Sequence, residues 1–142
     1  AFEAFGADED FQKVMQLRAV DPVGEVVGPW IGRMIFGNAP KGSKPVVVHR
    51  DYHTPRSAVQ KALELAPELQ NLMESLGVEV GVGMPIMKDD HEMLRIVYRF
   101  DSMVHWGQSV DKMVTDERFL GIVNAAHESA TLKSSRMLVK VE

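Results

Sequence analysis

Alternation of apolar and polar residues, the pattern of a strand with one buried face, recurs along this chain. After residue 43 it predicts strands at Lys44 to His53, Val78 to Ile86, Met93 to Phe100 and Arg136 to Val141. The second and third of these are separated by the polar turn Lys88 to His91, so we expect them to form an antiparallel hairpin.

Apolar residues at helical spacing follow the first of these strands. The predicted helix begins with a capping hydroxyl at Thr54 and with Pro55 at its first position. Pro67 should kink or divide it, and Gly77 should end it. A helix between the first two strands is the connection that a mixed α+β domain requires.

A second helical region follows the hairpin and is expected to be capped by Asp101 or Ser102. Thr115 precedes two acidic residues, which predicts a new helix start there and divides the region into two segments. The order from Lys44 onward is β-α-β-β-α-β, the ferredoxin-like pattern of an α+β fold.

The first 43 residues lie outside that pattern. Phe11 to Val20 alternates well enough to predict a strand, and Glu25 to Phe36 predicts a second one, interrupted at Gly28 and Pro29. We therefore divide the chain into an N-terminal strand or hairpin extension over residues 1–43 and a ferredoxin-like domain over residues 44–142.

Two glycines, Gly81 and Gly83, share the polar face of the strand Val78 to Ile86. A strand without side chains on one face lets another group approach its backbone closely. We expect that group to be a packed helix or a ligand.

The composition excludes several classes of partner but does not identify a reaction. A chain of 142 residues with 45% hydrophobic and 25% charged residues fits one globular domain. A net charge of -4 disfavours nucleic acid and anionic membrane as partners. The absence of cysteine excludes disulfides and thiolate metal sites. With an acidic beginning and no apolar run of membrane-spanning length, the chain is predicted to be cytoplasmic.

The strand from Lys44 also carries the first candidate chemistry, because His49, Asp51 and His53 should share one face. Two imidazoles and a carboxylate are the ligand set of one type of iron site. On a straight strand the three would span roughly 13 Å, too far for one ion, unless His91 replaced one end. His49 can instead act as an acid or base, or be a partly buried structural residue with Asp51 and His53 exposed.

Arginines are the second candidate. Arg95 and Arg99 share a face of their strand and could hold a carboxylate or an enolate oxygen, or could form ordinary surface ion pairs. Arg50 and Tyr52 lie on the opposite face from His49, and would take that role if that face lines the site.

The two helix ends carry two further imidazoles. His105 and Trp106 lie at the start of the region after the hairpin, and we expect Trp106 to line or plug a cavity. His127 and Glu128 lie at the end of that region, where a cationic imidazole is favoured by the helix dipole, so capping is the expected role of His127.

The stretch Phe100 to Val141 adds a resemblance to known families. It resembles NIPSNAP-like and antibiotic-biosynthesis-monooxygenase-like domains of the dimeric α+β barrel superfamily. The shared features are a strand ending in Phe-x-Ser, a tryptophan early in the helix, the acid-rich break Thr115-Asp116-Glu117 and a closing strand. The resemblance covers about 100 residues and does not reach residues 1–43.

This resemblance implies a homodimer whose two sheets form a barrel, with a cavity for a small molecule in each subunit. Its members include cofactor-free oxygenases of aromatic polyketides, haem-degrading enzymes, decarboxylases, isomerases and cyclases, so the fold does not select a reaction. The catalytic set of the haem-degrading relatives, an Asn, a Trp and a helix His, does not match the spacing in this chain.

We therefore predict a biosynthetic enzyme that oxygenates, cyclises or isomerises an apolar, aromatic or polyketide-like substrate without a metal or other cofactor. The alternative is a non-catalytic ligand-binding or accessory protein of the same fold. His49 is the expected base and Arg95 or Arg99 the expected anion holder. The residues expected to contact the substrate are Asp51, Tyr52, Met84, Tyr98 and Trp106.

Overall fold

The computed structural model describes residues 8–20, 31–38 and 40–141, with the side chains of residues 17–20 left out. Its helices and strands are, in chain order, α1 (Glu9–Val20), β1 (Ile31–Phe36), β2 (Val46–His53), α2 (Val59–Glu74), β3 (Glu79–Met87), β4 (Met93–Phe100), α3 (Met103–Met113), α4 (Glu117–His127) and β5 (Thr131–Val139). None of the described helices is long and apolar enough to cross a membrane.

The five strands form one antiparallel sheet in the order β1-β3-β4-β2-β5. The predicted β-α-β-β-α-β order is confirmed, with its second helical part divided into α3 and α4. β1 adds a fifth strand at the edge of the sheet beside β3, so part of the N-terminal extension joins the α+β fold.

The hydrophobic core lies between one face of the sheet and helices α2, α3 and α4. Burying each large apolar side chain there contributes about 1.5–3 kcal/mol to folding, which holds the helices on this face. The larger of its two clusters contains Val46, Val48, Leu69, Leu72, Met73, Val78, Val80, Tyr98, Phe100, Met113, Phe119 and Ile122. We call the opposite side of the sheet the open face.

The prediction of a strand over Phe11 to Val20 was wrong, because this segment is helix α1. Asp8 explains the helix: its side chain accepts a hydrogen bond of 2.9 Å from the backbone N–H of Phe11, as an N-cap does. Glu9 and Asp10 then place two acids in the first turn, where the helix dipole favours them. The remainder of the predicted hairpin, residues 21–30, lies outside the described residues.

Helix α2 begins later than predicted. A single 3-10 turn, Arg56–Ala58, precedes it, and the Thr54 hydroxyl donates to the carbonyl of Tyr52 at 3.3 Å instead of capping the helix. Pro67 lies inside α2 without ending it, so of its two expected effects, a kink or a division of the helix, the division does not occur. Gly77 has a φ of +71° just beyond the helix, as predicted for a terminating glycine.

The caps of the next two helices follow the sequence closely. The Ser102 side chain accepts from the N–H of His105 at 3.0 Å, as one of the two predicted caps. The cap of α4 is Asp116, one residue after the predicted Thr115, and it accepts from the N–H groups of Arg118 and Phe119. A carboxylate at this position both caps the helix and complements its dipole.

Strand β5 is longer than predicted, since it begins at Thr131 instead of Arg136. It pairs with β2 from Thr131 opposite His53 to Val139 opposite Val46. As an edge strand it is largely exposed and can pair without alternating apolar residues. The alternation pattern therefore did not detect its polar first half.

Close approach to the glycines of β3 is confirmed at Gly81, but neither a helix nor a ligand makes it. The Met34 side chain from β1 occupies the place that a Cβ on Gly81 would take. The Arg99 guanidinium from β4 lies 3.7 Å from the same place. Gly81 thus gives two side chains room to lie flat against the open face of the sheet.

Candidate functional site

Strand β2 distributes the predicted site residues between the two faces of the sheet. Val46 and Val48 belong to the core under the helices, and Tyr52 lies on the same side. Because strand side chains alternate, His49 and Asp51 lie on the open face. The two groups are therefore separated by the thickness of the sheet.

The centre of the open face is an ion pair between Asp51 and Arg95, which are directly opposite each other in β2 and β4. Arg95 Nε and Nη2 donate to the two carboxylate oxygens at 2.7 and 2.9 Å. Asp51 is 1% exposed and Arg95 is 6% exposed. The expectation that Asp51 is exposed was wrong, and Arg95 forms a buried pair where a surface pair was the alternative.

Three more side chains surround the Asp51 carboxylate. Ser134 of β5 donates to Oδ2 at 3.4 Å, Lys88 Nζ lies 3.6 Å from it, and Arg136 Nη2 lies 3.7 Å from it. One carboxylate thereby connects β2 to β4, to β5 and to the turn between β3 and β4.

These contacts decide the ionisation of Asp51. Burial has the largest effect and acts to raise the pKa of this carboxyl. The hydrogen bonds and charge of Arg95 outweigh it, with Lys88 and Arg136 adding to them, so the pKa of Asp51 lies below its usual value. The carboxylate is charged at neutral pH despite its burial.

His49 lies between these charges in the register of the sheet, opposite Val97 of β4 and Arg136 of β5. Burial lowers the pKa of His49, and the charge of Arg95 lowers it further. Asp51 opposes this change, whereas Arg136 and Arg99 add smaller decreases. The imidazole is therefore neutral at pH 7.

The predicted facing of His49, Asp51 and His53 is confirmed by the register of β2, but the three residues have separate partners. His53 Nδ1 lies 2.9 Å from Asp90 Oδ2, and Asp51 is held by Arg95. Among the residues that the structure describes, no group of three His, Cys, Asp or Glu side chains could hold a metal ion.

A cavity of about 70 Å³ lies on the other side of the sheet, under α2 and α4. Its lining is mainly apolar, with a few hydroxyl groups. The residues that line it are Tyr52, Thr54, Ala62, Leu65, Ala66, Leu69, Val82, Leu94, Ile96, Tyr98, Ile122, Val123, Ala126, Ser129 and Ala130.

Two tyrosines bring hydroxyl groups to this cavity. Burial strongly raises the pKa of Tyr98, so its phenol stays neutral. The Arg50 guanidinium lies 5.8 Å from the centre of the Tyr98 ring, at cation-π distance. Within the described part of the chain, neither the Tyr52 nor the Tyr98 hydroxyl is engaged in a hydrogen bond.

Sequence reasoning missed the place of His127. This last residue of α4 has its ring centre 5.8 Å from that of Tyr52, which lines the cavity. The sequence indicated only a helix end, because no local pattern connects α4 with β2. The small residues Ala126, Ser129 and Ala130 around it were the available sign of a cavity wall.

The remaining predicted substrate contacts have packing positions. Met84 packs beside Ala66, Val82 and Leu94 in the smaller core cluster, and Trp106 packs against the larger one from α3. Neither belongs to the cavity lining. Thus Tyr52 and Tyr98 meet at the cavity, His49, Asp51, Arg95 and Arg99 share the open face, and Met84 and Trp106 join neither group.

His105 has a structural role. Its Nδ1 accepts a hydrogen bond of 3.0 Å from the N–H of Asp101, so the proton of the neutral ring is on Nε2. That nitrogen lies 2.7 Å from the carbonyl oxygen of Leu76, to which it donates. The ring thereby connects the start of α3 to the residues after α2.

Comparison with known proteins gives the fold. No family model matches the chain, and no curated protein does. The heme-degrading enzyme LmHde from Listeria monocytogenes matches with a TM-score of 0.59 and 12% identity, over 92% of this chain and 94% of its own. A NIPSNAP family protein from Agrobacterium tumefaciens matches with a TM-score of 0.50 and 17% identity, over 75% and 95% of the two chains.

A conserved protein of unknown function from Bacteroides thetaiotaomicron, described as a possible oxidoreductase, also matches. Its TM-score is 0.52 at 13% identity, over 69% of this chain and 100% of its own. Identities this low show similarity of fold alone. The predicted likeness to the ferredoxin-like α+β barrel proteins is confirmed at that level.

The buried ion pair generates a prediction for stability. We expect Asp51→Asn to lower the free energy of unfolding at pH 7 by about 3 kcal/mol, because it leaves the Arg95 charge buried without its partner. Asp90→Asn is the matched control: its pair with His53 is more than a third exposed on both sides, and we expect a loss below about 1 kcal/mol. Urea unfolding of both variants gives the two values.

The same pair predicts the pH dependence of that difference. Because the pKa of Asp51 is lowered on folding, its contribution is present above the unfolded pKa and is lost as the pH falls through the folded one. The gap between wild type and Asp51→Asn should therefore be constant from about pH 5 to 7 and shrink below about pH 4. A gap that stays constant down to pH 2.5 would contradict the lowered pKa.

Proposed function

We propose that this chain is an oxygenase-type enzyme that binds a small, largely apolar molecule in the cavity between the sheet and helices α2 and α4. The observation that carries the proposal is the cavity itself, an apolar space with the hydroxyl groups of Tyr52 and Tyr98 in its wall. Ligand sites combine an apolar lining with a few convergent polar groups in this way.

The lining suits an aromatic or alicyclic ketone or phenol. Its apolar residues favour the transfer of a ring from water, and a neutral tyrosine can donate a hydrogen bond to a carbonyl or phenol oxygen. A cavity of about 70 Å³ is far below the roughly 300–1,000 Å³ of sites for drug-sized ligands. We therefore infer a small substrate, or one that inserts a single ring.

Haem, the substrate class in the name of the Listeria enzyme, does not fit the cavity as described. The volume is too small for a macrocycle, and the lining has no His or Cys to ligate its iron. The proposed reaction is therefore one that needs only molecular oxygen and an activated carbon on the substrate.

Such a reaction begins when an acidic CH₂ group beside a carbonyl or an aromatic ring loses a proton. The resulting carbanion is oxidised by O₂, so that R₂CH₂ and O₂ give R₂C=O and H₂O. One oxygen atom forms the new carbonyl, and the other leaves as water with both hydrogens. The enzyme has to position the CH₂ group, exclude bulk water and accept the first proton.

We assign the proton acceptor to His127. Its ring contacts that of Tyr52 at the wall of the cavity, and histidine is the side chain that most often serves as a general base. Neither imidazole is part of the cavity lining. His127 lies on the same side of the sheet as the cavity, whereas His49, the base predicted from the sequence, lies on the open face across the sheet from it.

A second candidate function is binding without turnover. The lining itself contains no side chain that is charged near neutral pH, which favours a carrier or accessory protein if His127 does not reach the ligand. The two functions differ in one measurable property, namely oxygen consumption in the presence of a bound substrate.

The cavity generates a binding prediction. Ala126→Leu should fill part of it and weaken binding of a one-ring or two-ring ketone such as 2-tetralone by at least about tenfold, or about 1.4 kcal/mol. Ala125→Leu changes the neighbouring residue of α4, which is also partly buried but does not line the cavity, and should bind normally. Ligand titration followed by tryptophan fluorescence measures both. Equal affinities in the two variants would place the binding site elsewhere.

The base assignment generates a prediction for turnover. In an oxygen electrode, His127→Ala should reduce 2-tetralone-dependent oxygen uptake by about 100-fold or more, the lower range for general base catalysis, with ligand binding retained. His49→Ala tests the residue predicted from the sequence and should keep its uptake. Binding by wild type without oxygen uptake across a panel of enolisable ketones would favour the carrier function.

We also propose that the chain forms a homodimer through its open face. That face carries the partly buried Val47 and, toward its edges, the half-exposed side chains of Met34 and Leu138. A sheet with one covered face usually has a partner on the other when apolar residues remain there. A second sheet is the partner expected for a barrel.

The dimer is tested by changing one apolar residue on each side of the molecule. Leu138→Lys, at 49% exposure on the open face, should shift the sedimentation mass from twice 15.9 kDa toward 15.9 kDa. Leu120→Lys is the matched control at 42% exposure on α4 and should leave the mass unchanged. A wild-type chain that sediments as a monomer at 100 μM would contradict the dimer.

A further inference from the structure

The open face holds more positive charge than its carboxylates neutralise. Arg95 forms both hydrogen bonds to Asp51, while Lys88 and Arg136 approach its Oδ2 only to 3.6 and 3.7 Å, beyond hydrogen-bond distance. Three cations thus surround one carboxylate, and the Arg136 side chain is 56% exposed. Lys88 and Arg136 have donors available for another acceptor.

Arg99 adds a fourth cation to this face. Its Nη1 is buried and has no hydrogen-bond partner in the described part of the chain. Glu79 is opposite Arg99 in the register of β3 and β4, but its carboxylate accepts from the N–H of Lys41 and lies 3.9 Å from Lys44 Nζ. These contacts use only Oε1 of Glu79, and its Oε2 is likewise buried without a hydrogen-bond partner among the described residues. A buried guanidinium nitrogen without an acceptor is costly.

The register of the sheet places His49 between these groups. One row along the strands contains Asp51 and Arg95, the next contains His49 and Arg136, and the following one contains Arg99. Rows two residues apart are separated by about 7 Å, which the long side chains of arginine and lysine can span. The Arg99 guanidinium lies toward β3, beside Gly81, and Arg136 approaches from β5. The charges of both arginines lower the pKa of His49 between them.

We propose that the open face binds the carboxylate group of a small organic anion between Arg136 and Lys88, beside the imidazole of His49, with Arg99 adding positive charge from β4. Guanidinium groups match the planar, two-oxygen geometry of a carboxylate. His49 can donate one ring N–H to the same anion. The site is separated by the sheet from the cavity of the proposed function, so it would hold a different ligand or an effector.

A second copy of the chain is a poor source for this carboxylate. A twofold interface brings the same patch of each copy together, so two open faces would bring cation toward cation. A small anion would neutralise this charge whether or not the face is paired. The proposal therefore does not depend on the dimer.

The test follows the His49 ring by NMR while succinate is added at constant ionic strength. A carboxylate beside the imidazole favours its charged form, so the pKa of His49 should rise saturably. Arg136→Gln should reduce the apparent affinity for succinate at least tenfold. Arg118→Gln is the matched control, an exposed arginine at the start of α4 that pairs with Asp116, and should respond as wild type does.

Four outcomes decide the proposal. Saturable binding that is lost in both Arg136→Gln and Lys88→Gln supports it, and the second variant serves if the first does not fold. An equal response to sodium chloride, or a response of His91 as large as that of His49, would show general screening and overturn it. Phosphate that displaces succinate with higher affinity would overturn the choice of a carboxylate. Succinate binding that appears only in step with dimer formation in sedimentation would overturn a site within one chain.

Discussion

The buried pair of Asp51 and Arg95 is the interaction on which the arrangement of this sheet depends. A carboxylate that is 1% exposed would be strongly disfavoured without its bidentate partner, and the pair fixes the register of β2 against β4. Ser134 and Arg136 of β5 contact the same carboxylate by a hydrogen bond and an ion pair. Lys88, in the turn between β3 and β4, forms another ion pair with it. The two central strands, one edge strand and one turn therefore share a single anionic centre.

Charge on one face and apolar cover on the other follow from the two-residue period of a strand. Of the four residues of β2 that point toward the helices, all but Arg50 are apolar or aromatic, and of the four that point away, all but Val47 carry charge or an imidazole. The helices pack on the first group, because covering the open face with apolar side chains would desolvate the charges of Arg136 and Lys88, which still reach solvent. This division creates a neutral cavity and a charged surface on opposite sides of one sheet.

The sequence was sufficient for strands β2, β3 and β4, for the facing of β2 and for the order of elements after residue 43, because alternation and helix caps are local signals. It failed where a local signal was overlooked, as with the Asp8 cap that makes residues 9–20 a helix. The candidate site could be predicted only in part. The alternation of side chains along β2 placed His49 on the same face as Asp51. The sequence contains no information on which face of the sheet the helices cover. The contact of His127 with Tyr52 joins α4 to β2 across 75 residues and required the tertiary structure.

The acidic net charge of the chain does not describe the charge of its open face, which constrains the partners of that face more directly. With 20 acidic and 16 basic residues the molecule as a whole is acidic, yet the middle of the open face is locally cationic around one carboxylate. Pairing two such faces by a twofold axis would bury like charges near each other, at a cost that rises as water is excluded. The apolar residues toward the sheet edges favour pairing and the cations at its centre oppose it. A bound anion at the centre would reduce that opposition, and it needs no second copy of the chain to bind.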